Sequence, residues 1–427
     1  VIDRAELPID TESANGGIGT GRGERGRLRI CHLGKFYPPA SGGIETHLQT
    51  LARAQSQLGL DVTVLCVNHR DARGRDVTWK ALTPTPTVSE RDGDVRVIRL
   101  GRRASLARLD LCPDLPAILS SLGSEQYDLL HLHVPNPTML LGLSMCRPRV
   151  PWVIGYHSDV VRQRTLMRLQ RPFENAVFRR ARAILAASPD YQRGSSYLQR
   201  FVDRVTVIPY GIDLDAYLQP VAAAQHYASE LRREHGEPLW LAVGRLVYYK
   251  GLDNVVRALT RVRGRLLIVG DGPLRGELRA LARAEGVAER IVWRARLEPD
   301  ELIGAYHAAT ALWFPSNARS EAFGLVQVEA MACGRPVLNS AIPGSGVAWV
   351  SPDGETGVTV PVNDWPGLAS AANRLWHDAD LRMRLGARGR QRAIQQFGAS
   401  AMARRTLSVY RQIIRQAGSR CEYASCT

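Results

Sequence analysis

None of the seven cysteines stands in a C-x-x-C pair, and none joins a histidine at the spacing of a zinc site. The count is odd and the positions are scattered, so a disulfide-stapled scaffold is excluded. Cys31 and Cys66 fall in apolar strand-like runs and Cys333 late in a helical one, the pattern of buried thiols in a reducing compartment. Cys421 and Cys426 lie in a polar tail, where nothing else supports a bridge. Long apolar runs are also missing. None reaches the length that spans a bilayer, so any membrane contact is expected to be peripheral. The first residues lack the basic-then-apolar order of a secretory signal. Acid is in short supply, 41 Asp and Glu against 56 Lys and Arg, for a formal charge of +15. That surplus points toward polyanions (nucleic acid, anionic lipid or phosphorylated substrates) without choosing among them.

What is present suits two domains of comparable size: 427 residues, 45% hydrophobic and 23% charged. Residues 1–26 are polar and glycine-rich and are expected to form a disordered extension. They contain GRGERG, a literal G-x-G-x-x-G, but it precedes the first strand instead of following one, so it is no dinucleotide fingerprint. Strand patterns at 28–34, 61–67, 95–100, 127–133, 152–157, 183–187 and 205–209 alternate with helical ones. This predicts a parallel, doubly wound first domain over 27–212. A second series, with strands at 239–243, 266–269, 291–293, 311–314 and 336–339, predicts another such domain over 213–397. The stretch 398–416 is expected to cross back to the first domain, leaving 417–427 as a tail. Two such domains place a ligand in the cleft between their strand ends.

The segment SEAFGLVQVEAMACGRPV sets Glu321 and Glu329 with seven residues between them, beside a helix predicted over 325–333 and stopped by Gly334 and Pro336. Eight residues of helical rise is roughly 12 Å, about the reach from the hexose to the ribose of a nucleotide sugar. Two solvated surface acids are the bland alternative. Gly42–Gly43, between the first strand and its helix, permits a phosphate to approach a helix N-terminus, or forms an ordinary tight turn. Arg245 and Lys250, in VGRLVYYKG, follow the first strand of the second domain and suit a diphosphate. Gly270 and Gly272, in VGDGP, permit close ligand approach or make a strand-end turn. His133 and His157 both end first-domain strands and aim toward one cleft, whereas His131 points deeper, into the sheet packing. Asp213 and Asp215 form a D-x-D that reads as turn and cap rather than metal ligand. From 162 to 182 there are seven arginines and no lysine, including Arg162, Arg164 and Arg168, interleaved with apolar residues. This is either a basic amphipathic segment for anionic lipid or diphosphate, or a solvated basic face.

In order and spacing, YPPASGGIE, HLHVPNP, IPYGID, VGRLVYYKG, VGDGP and the paired glutamates resemble the family-4 retaining glycosyltransferases over residues 28–415. YHSDVVRQRTLMRLQRPF and FPSNARSEAFG are similar to bacterial mannosyl- and rhamnosyltransferases of O-antigen or exopolysaccharide assembly. The resemblance implies a GT-B fold, α/β with two Rossmann-like domains facing across a cleft. It implies a GDP-sugar donor, mainly GDP-mannose, with a polyprenyl-diphosphate-linked oligosaccharide acceptor on the cytoplasmic membrane face. No metal or other cofactor is implied, and no nucleic acid. By position, Glu321 binds the transferred sugar and Glu329 the ribose, and Arg245 and Lys250 neutralise the diphosphate. Gly42, Gly43, Gly270, Gly272, Phe323, Gly324 and Leu325 line the donor, with His133 and His157 beside the sugar. The chain departs from the pattern at IPGSGVAWV, where many relatives carry an acid, and at residues 293–296 (WRAR), where glycine is usual. Competing readings are a UDP-sugar-dependent family-4 enzyme, a nucleotide-sugar 2-epimerase, a basic nucleic-acid-binding protein whose affinity falls with salt, and a sensor that binds without turnover.

Overall fold

The computed structural model describes residues 27–424 apart from 41, 79, 107–108 and 160–163. The expected extension over 1–26 therefore lies outside the described residues.

Among the described residues ten strands belong to the first domain: β1 (Arg29–Leu33), β2 (Asp61–Val67), β3 (Val88–Asp92), β4 (Val95–Leu100), β5 (Ala104–Leu106), β6 (Leu109–Leu111), β7 (Leu129–Val134), β8 (Trp152–Tyr156), β9 (Ala183–Ala186) and β10 (Val205–Val207). Eight of them form one sheet in the order β10-β9-β8-β7-β1-β2-β4-β3, parallel except for the edge strand β3. β5 and β6 pair as a separate hairpin. The inner strands are mostly buried, and β7, β8 and β9 at every position, because helices cover both faces. The strand order reverses between β1 and β7, and at such a point the crossover helices leave in opposite directions and open a crevice at the strand ends.

The second sheet contains β11 (Leu239–Val243), β12 (Arg265–Val269), β13 (Ile291–Arg294), β14 (Ala311–Phe314), β15 (Val337–Ser340) and β16 (Gly357–Val360). It runs β13-β12-β11-β14-β15-β16, all parallel, and reverses between β11 and β14. β3, β16 and the β5–β6 hairpin were not expected from the sequence. β3 shows the reason: its five residues are exposed or half-buried, so no apolar alternation marks it.

The chain crosses between the domains twice, and the two crossings run side by side. Ile212 N–H donates to Phe397 O at 2.9 Å, and Ala399 N–H returns to Ile212 O at 2.8 Å. The helix Ala399–Ala424 then lies on the first domain, where Leu407, Tyr410 and Ile413 join the core of Ile30, Leu48, Ala52, Val62 and Val64. Each such side chain contributes about 1.5–3 kcal/mol when fully buried, enough to fix the helix there although it follows the second domain in sequence. Among the described residues no helix is long and apolar enough to cross a membrane.

Candidate active site

Both reversal points face the interdomain cleft, and each presents a different chemistry. In the second domain the loops after β11 and β14 close on each other. Gly251 has φ +62°, and a Cβ there would stand 2.1 Å from Pro315 O, so only glycine lets the two loops touch. Asn317 N–H donates to Tyr249 O at 2.8 Å and secures the contact. The result is an ion pair between the two motifs: Lys250 Nζ lies 2.5 Å from Glu321 Oε2, with the side chains only 14% and 12% exposed. Ser316 Oγ donates to the same oxygen at 3.3 Å, and the ammonium stands 4.8 Å from the Phe314 ring centroid.

The helix Leu325–Ala332 carries Glu329 but not Glu321, which lies in the preceding loop. The separation of the two acids thus comes from loop plus one helical turn instead of continuous helical rise. Tyr306 O–H donates to Glu329 Oε2 at 2.5 Å, and burial raises the pKa of this carboxyl. Arg245 is exposed at the cleft, and its charge acts on Glu45 across the domain boundary. Gly270 and Gly272 pack against the backbone of Gly244 and Leu246, so their lack of side chain is already used in joining two loops. Phe323 lies in an aromatic cluster, 4.9 Å from Tyr210 and 5.6 Å from Phe397 between ring centroids. Gly324 begins its helix at φ +78° beneath the Phe314 ring, and Leu325 is half-buried behind it.

In the first domain Gly43 opens the helix Gly43–Gln57, with nothing within 4 Å of the place a Cβ would take. At Gly42 the Glu45 carboxylate folds back to within 2.2 Å of that place, over the start of the helix. Below them runs a buried chain of hydrogen bonds. Tyr210 Oη meets His157 Nδ1 at 2.6 Å, His157 Nε2 meets His133 Nδ1 at 2.9 Å, and His133 Nε2 meets His32 Nδ1 at 3.0 Å. His32 Nε2 meets Gln55 Oε1 at 2.8 Å, Gln55 Nε2 donates to Tyr410 Oη at 3.2 Å, and Tyr410 Oη meets His131 Nδ1 at 2.6 Å.

Gln55 assigns the protons. Its carbonyl accepts from His32 Nε2–H, which leaves His32 Nδ1 to accept from His133 Nε2–H, and the same logic runs on to Tyr210 O–H donating into His157. On the other side Tyr410 O–H donates to His131, so His131 Nε2–H is the last donor, and it is buried without a partner. All the imidazoles are neutral: burial lowers His32 to about 4 and His157 to about 3, and lowers His47, His131 and His133 as well. His133 is 1% exposed with both ring nitrogens engaged, so it lies beneath the cleft surface in this conformation.

Two histidine groupings, His32/His131/His133 and His47/His133/His157, bring ligand atoms within 4.8 Å of one another. Within them His32, His133 and His157 meet as hydrogen-bonded pairs, while His47 Nδ1 and His131 Nε2 are buried without a hydrogen-bond partner. His133 and His157 are parallel to within 5°, with each nitrogen aimed at the other, and His133 meets His32 through its opposite nitrogen. Asp213 Oδ1 accepts from Asp215 N–H at 3.3 Å as the helix Asp215–Leu218 starts. Of the arginine-rich segment, Arg162 lies outside the described residues, and the side chains of Arg164 and Arg168 likewise. Further along that helix (Arg164–Arg180) Val177 and Phe178 are core residues. Arg171 and Arg180 stack on Tyr197 and Trp152 at 4.3 and 4.8 Å, so part of the segment's apolar and basic content is used within the domain.

Sequence reasoning did not single out His32, His47, Gln55, Tyr210, Tyr306, Asp159 or Arg319. For His32 a signal existed, because period two in 28–34 puts it on the face opposite Cys31 and Leu33. Nothing local marks Gln55, whose partners His32 and Tyr410 are 23 and 355 residues away.

Two largely parallel sheets whose strand order reverses at a shared cleft define the GT-B arrangement. Structures with the same arrangement include sucrose-phosphate synthase from Thermosynechococcus elongatus, with TM-score 0.72 and 25% identity, covering 91% of this chain and 100% of that one. HepE of Anabaena in complex with UDP and glucose follows with TM-score 0.70 and 18% identity, covering 90% and 100%. The family model "Glycosyl transferases group 1" matches residues 225–392, and "Glycosyltransferase Family 4" matches 41–216. The O-antigen chain mannosyltransferase C of Escherichia coli is 29% identical over 394 residues, 91% of this chain and 99% of that protein. The D-rhamnosyltransferase WbpZ of Pseudomonas aeruginosa is 31% identical over 374 residues, 87% and 93%. The chain belongs to the group 1, family 4 glycosyltransferases.

Proposed function

We propose that this glycosyltransferase takes mannose, or rhamnose, from a GDP-sugar and adds it with retention to a polyprenyl-diphosphate-linked oligosaccharide. The observation that carries the reading is the Lys250–Glu321 pair, a cation and an acid brought together at the strand-order reversal of the second domain. Donor binding separates them: Lys250, with Arg245, turns to the diphosphate, and Glu321 accepts from sugar hydroxyls. Glu329 accepts from the ribose hydroxyls, and the Gly43 N–H contacts the distal phosphate. Gly42, Gly270, Gly272, Phe323, Gly324 and Leu325 shape the pocket, with His133 and His157 backing the sugar subsite from beneath the cleft surface. The bond from sugar C1 to the phosphate oxygen breaks, and the acceptor oxygen bonds to C1 on the same face. The departing phosphate oxygen takes the hydroxyl proton. Fixed cations stabilise the leaving charge where it develops, which lowers the barrier most. The reaction draws on no metal.

The likeness to a mannosyltransferase and a rhamnosyltransferase over nearly the whole chain supports the sugar. The acceptor and a peripheral position on the cytoplasmic membrane face go with that kinship and with the surplus of basic residues, Arg162, Arg164 and Arg168 among them. Slow hydrolysis of GDP-, UDP-, ADP- and dTDP-sugars, which needs no acceptor, tests the donor. GDP release from GDP-mannose or GDP-rhamnose is expected, with Glu321→Ala slower by about 100- to 1000-fold but still binding nucleotide. Selective use of a UDP-sugar would overturn the GDP assignment, and equal loss of nucleotide binding in Glu321→Ala would overturn the role of that residue.

A further inference from the structure

A second ion pair lies in the cleft, and it joins the two domains. Arg319 Nη2 donates to Asp159 Oδ2 at 2.6 Å, with the side chains 30% and 21% exposed. Asp159 stands two residues after His157, and Arg319 two residues before Glu321. One contact therefore ties the histidine end of the first domain to the acid loop of the second.

The first-domain half is built in advance. Tyr156 and Ser195 hydroxyls donate to Asp159 Oδ1 at 2.5 and 3.0 Å, and the Asp159 backbone N–H donates to Tyr191 Oη at 2.5 Å. The carboxylate thus needs no rearrangement to receive its partner. Arg319 is held in turn by its own domain, donating Nε–H to Gly344 O at 3.2 Å, and its guanidinium lies 5.4 Å from the Tyr191 ring centroid. Beside the pair the two backbones touch. A Cβ on Gly194, at the end of the helix Pro189–Gly194, would stand 2.3 Å from Gly344 Cα, and Gly344 itself has φ +68°. A side chain at either position would wedge the domains apart.

We propose that Asp159 and Arg319 are positioning residues for transfer, a latch that sets the Glu321 loop over the first-domain face when the cleft is shut. The inference rests on the reading that Glu321 grips the donor sugar. A half-exposed ion pair suits such a contact because separating it returns both groups to water at small cost, whereas parting a large apolar interface costs more. The nucleotide-binding groups all belong to the second domain except the Gly42–Gly43 turn, so the latch governs turnover and leaves nucleotide affinity alone.

The test compares the full chain with Asp159→Asn, Arg319→Gln, Arg319→Lys and the double variant Asp159→Asn/Arg319→Gln. Donor-hydrolysis kcat, nucleoside-diphosphate affinity by calorimetry and radius of gyration by solution scattering are measured for each. Each neutralising variant is expected to lower kcat by about 5-fold, the population shift that losing a partly exposed ion pair allows. The double variant is expected to be no worse than either single, nucleotide affinity to stay unchanged, and the unliganded radius to grow. Arg319→Lys is expected to recover part of the rate. Losses that multiply in the double variant, or an unchanged radius, would overturn the latch. A parallel loss of nucleotide affinity would instead make Arg319 a donor ligand and overturn it too. If no sugar nucleotide is turned over by the parent chain, the donor reading fails, while the scattering and calorimetry still decide the latch.

Discussion

The two faces of the cleft solve the burial of polar groups in opposite ways. The second-domain face stores charge: Lys250 against Glu321, and a Glu329 carboxylate held by Tyr306. The histidine row of the first-domain face stores none, since its imidazoles are neutral and each leans on the next. A paired charge is poised for exchange, because a ligand that offers phosphate to the ammonium and hydroxyls to the carboxylate replaces one good contact with two. A continuous row of neutral hydrogen bonds gains nothing from exchange, since breaking any link orphans a further buried group. The second domain is therefore built to rearrange on binding and the first to stay still.

Removing the cation should break this contrast most severely. Lys250→Ala leaves Glu321 without its counter-charge and the diphosphate without a neutralising group, and turnover is expected to fall about 100- to 1000-fold. Steady-state donor hydrolysis measures it. A loss of only a few-fold would mean that the stored charge is structural.

Acid should break the neutral face next. Unfolded imidazoles take a proton near pH 6.5, while folded His32 and His157 resist until about 4 and about 3. Between those values the unfolded chain binds more protons, so stability is fully present above about pH 6.5 and drains as pH falls toward 4. Each buried imidazole steepens the slope by up to about 1.4 kcal/mol per pH unit. Thermal midpoints recorded from about pH 7.5 down to about pH 5 should hold nearly level to about pH 6.5 and fall increasingly steeply below it. A flat profile would show that these rings carry protons when folded.

The mildest change sharpens the comparison. Tyr410→Phe deletes the hydroxyl between Gln55 and His131 and should cost about 1–3 kcal/mol in urea denaturation, with donor hydrolysis nearly intact. A large loss of activity at unchanged stability would place the far end of the chain in the chemistry.

These faces were unequally legible in the sequence. The charged one follows local motifs, so Lys250, Glu321 and Glu329 stood out from VGRLVYYKG and SEAFGLVQVEAMA. Even there, helical spacing was extended too far: Glu321 precedes the helix, because Gly324 with its positive φ starts it three residues later. The neutral face was half visible. His133 and His157 end strands, but their partners come from β1, the helix Gly43–Gln57, the interdomain crossing and the last helix. The same holds for Asp159 and Arg319, ordinary in a linear reading and paired only because the domains close. The main strands and their parallel pairing were legible because buried parallel strands read as nearly continuous apolar runs. Polar contacts between distant segments leave no periodic trace.

Among the links of the histidine chain, one differs in kind. A hydroxyl or an imidazole can give and receive through atoms that trade a proton, so a row of them reverses its sense by passing protons along. The amide of Gln55 gives through nitrogen and receives through oxygen, and it reverses only by turning over within the packed core. From Tyr210 at the cleft to Tyr410 on the returning helix, the row is a one-way street, and its sign is posted by a single carboxamide.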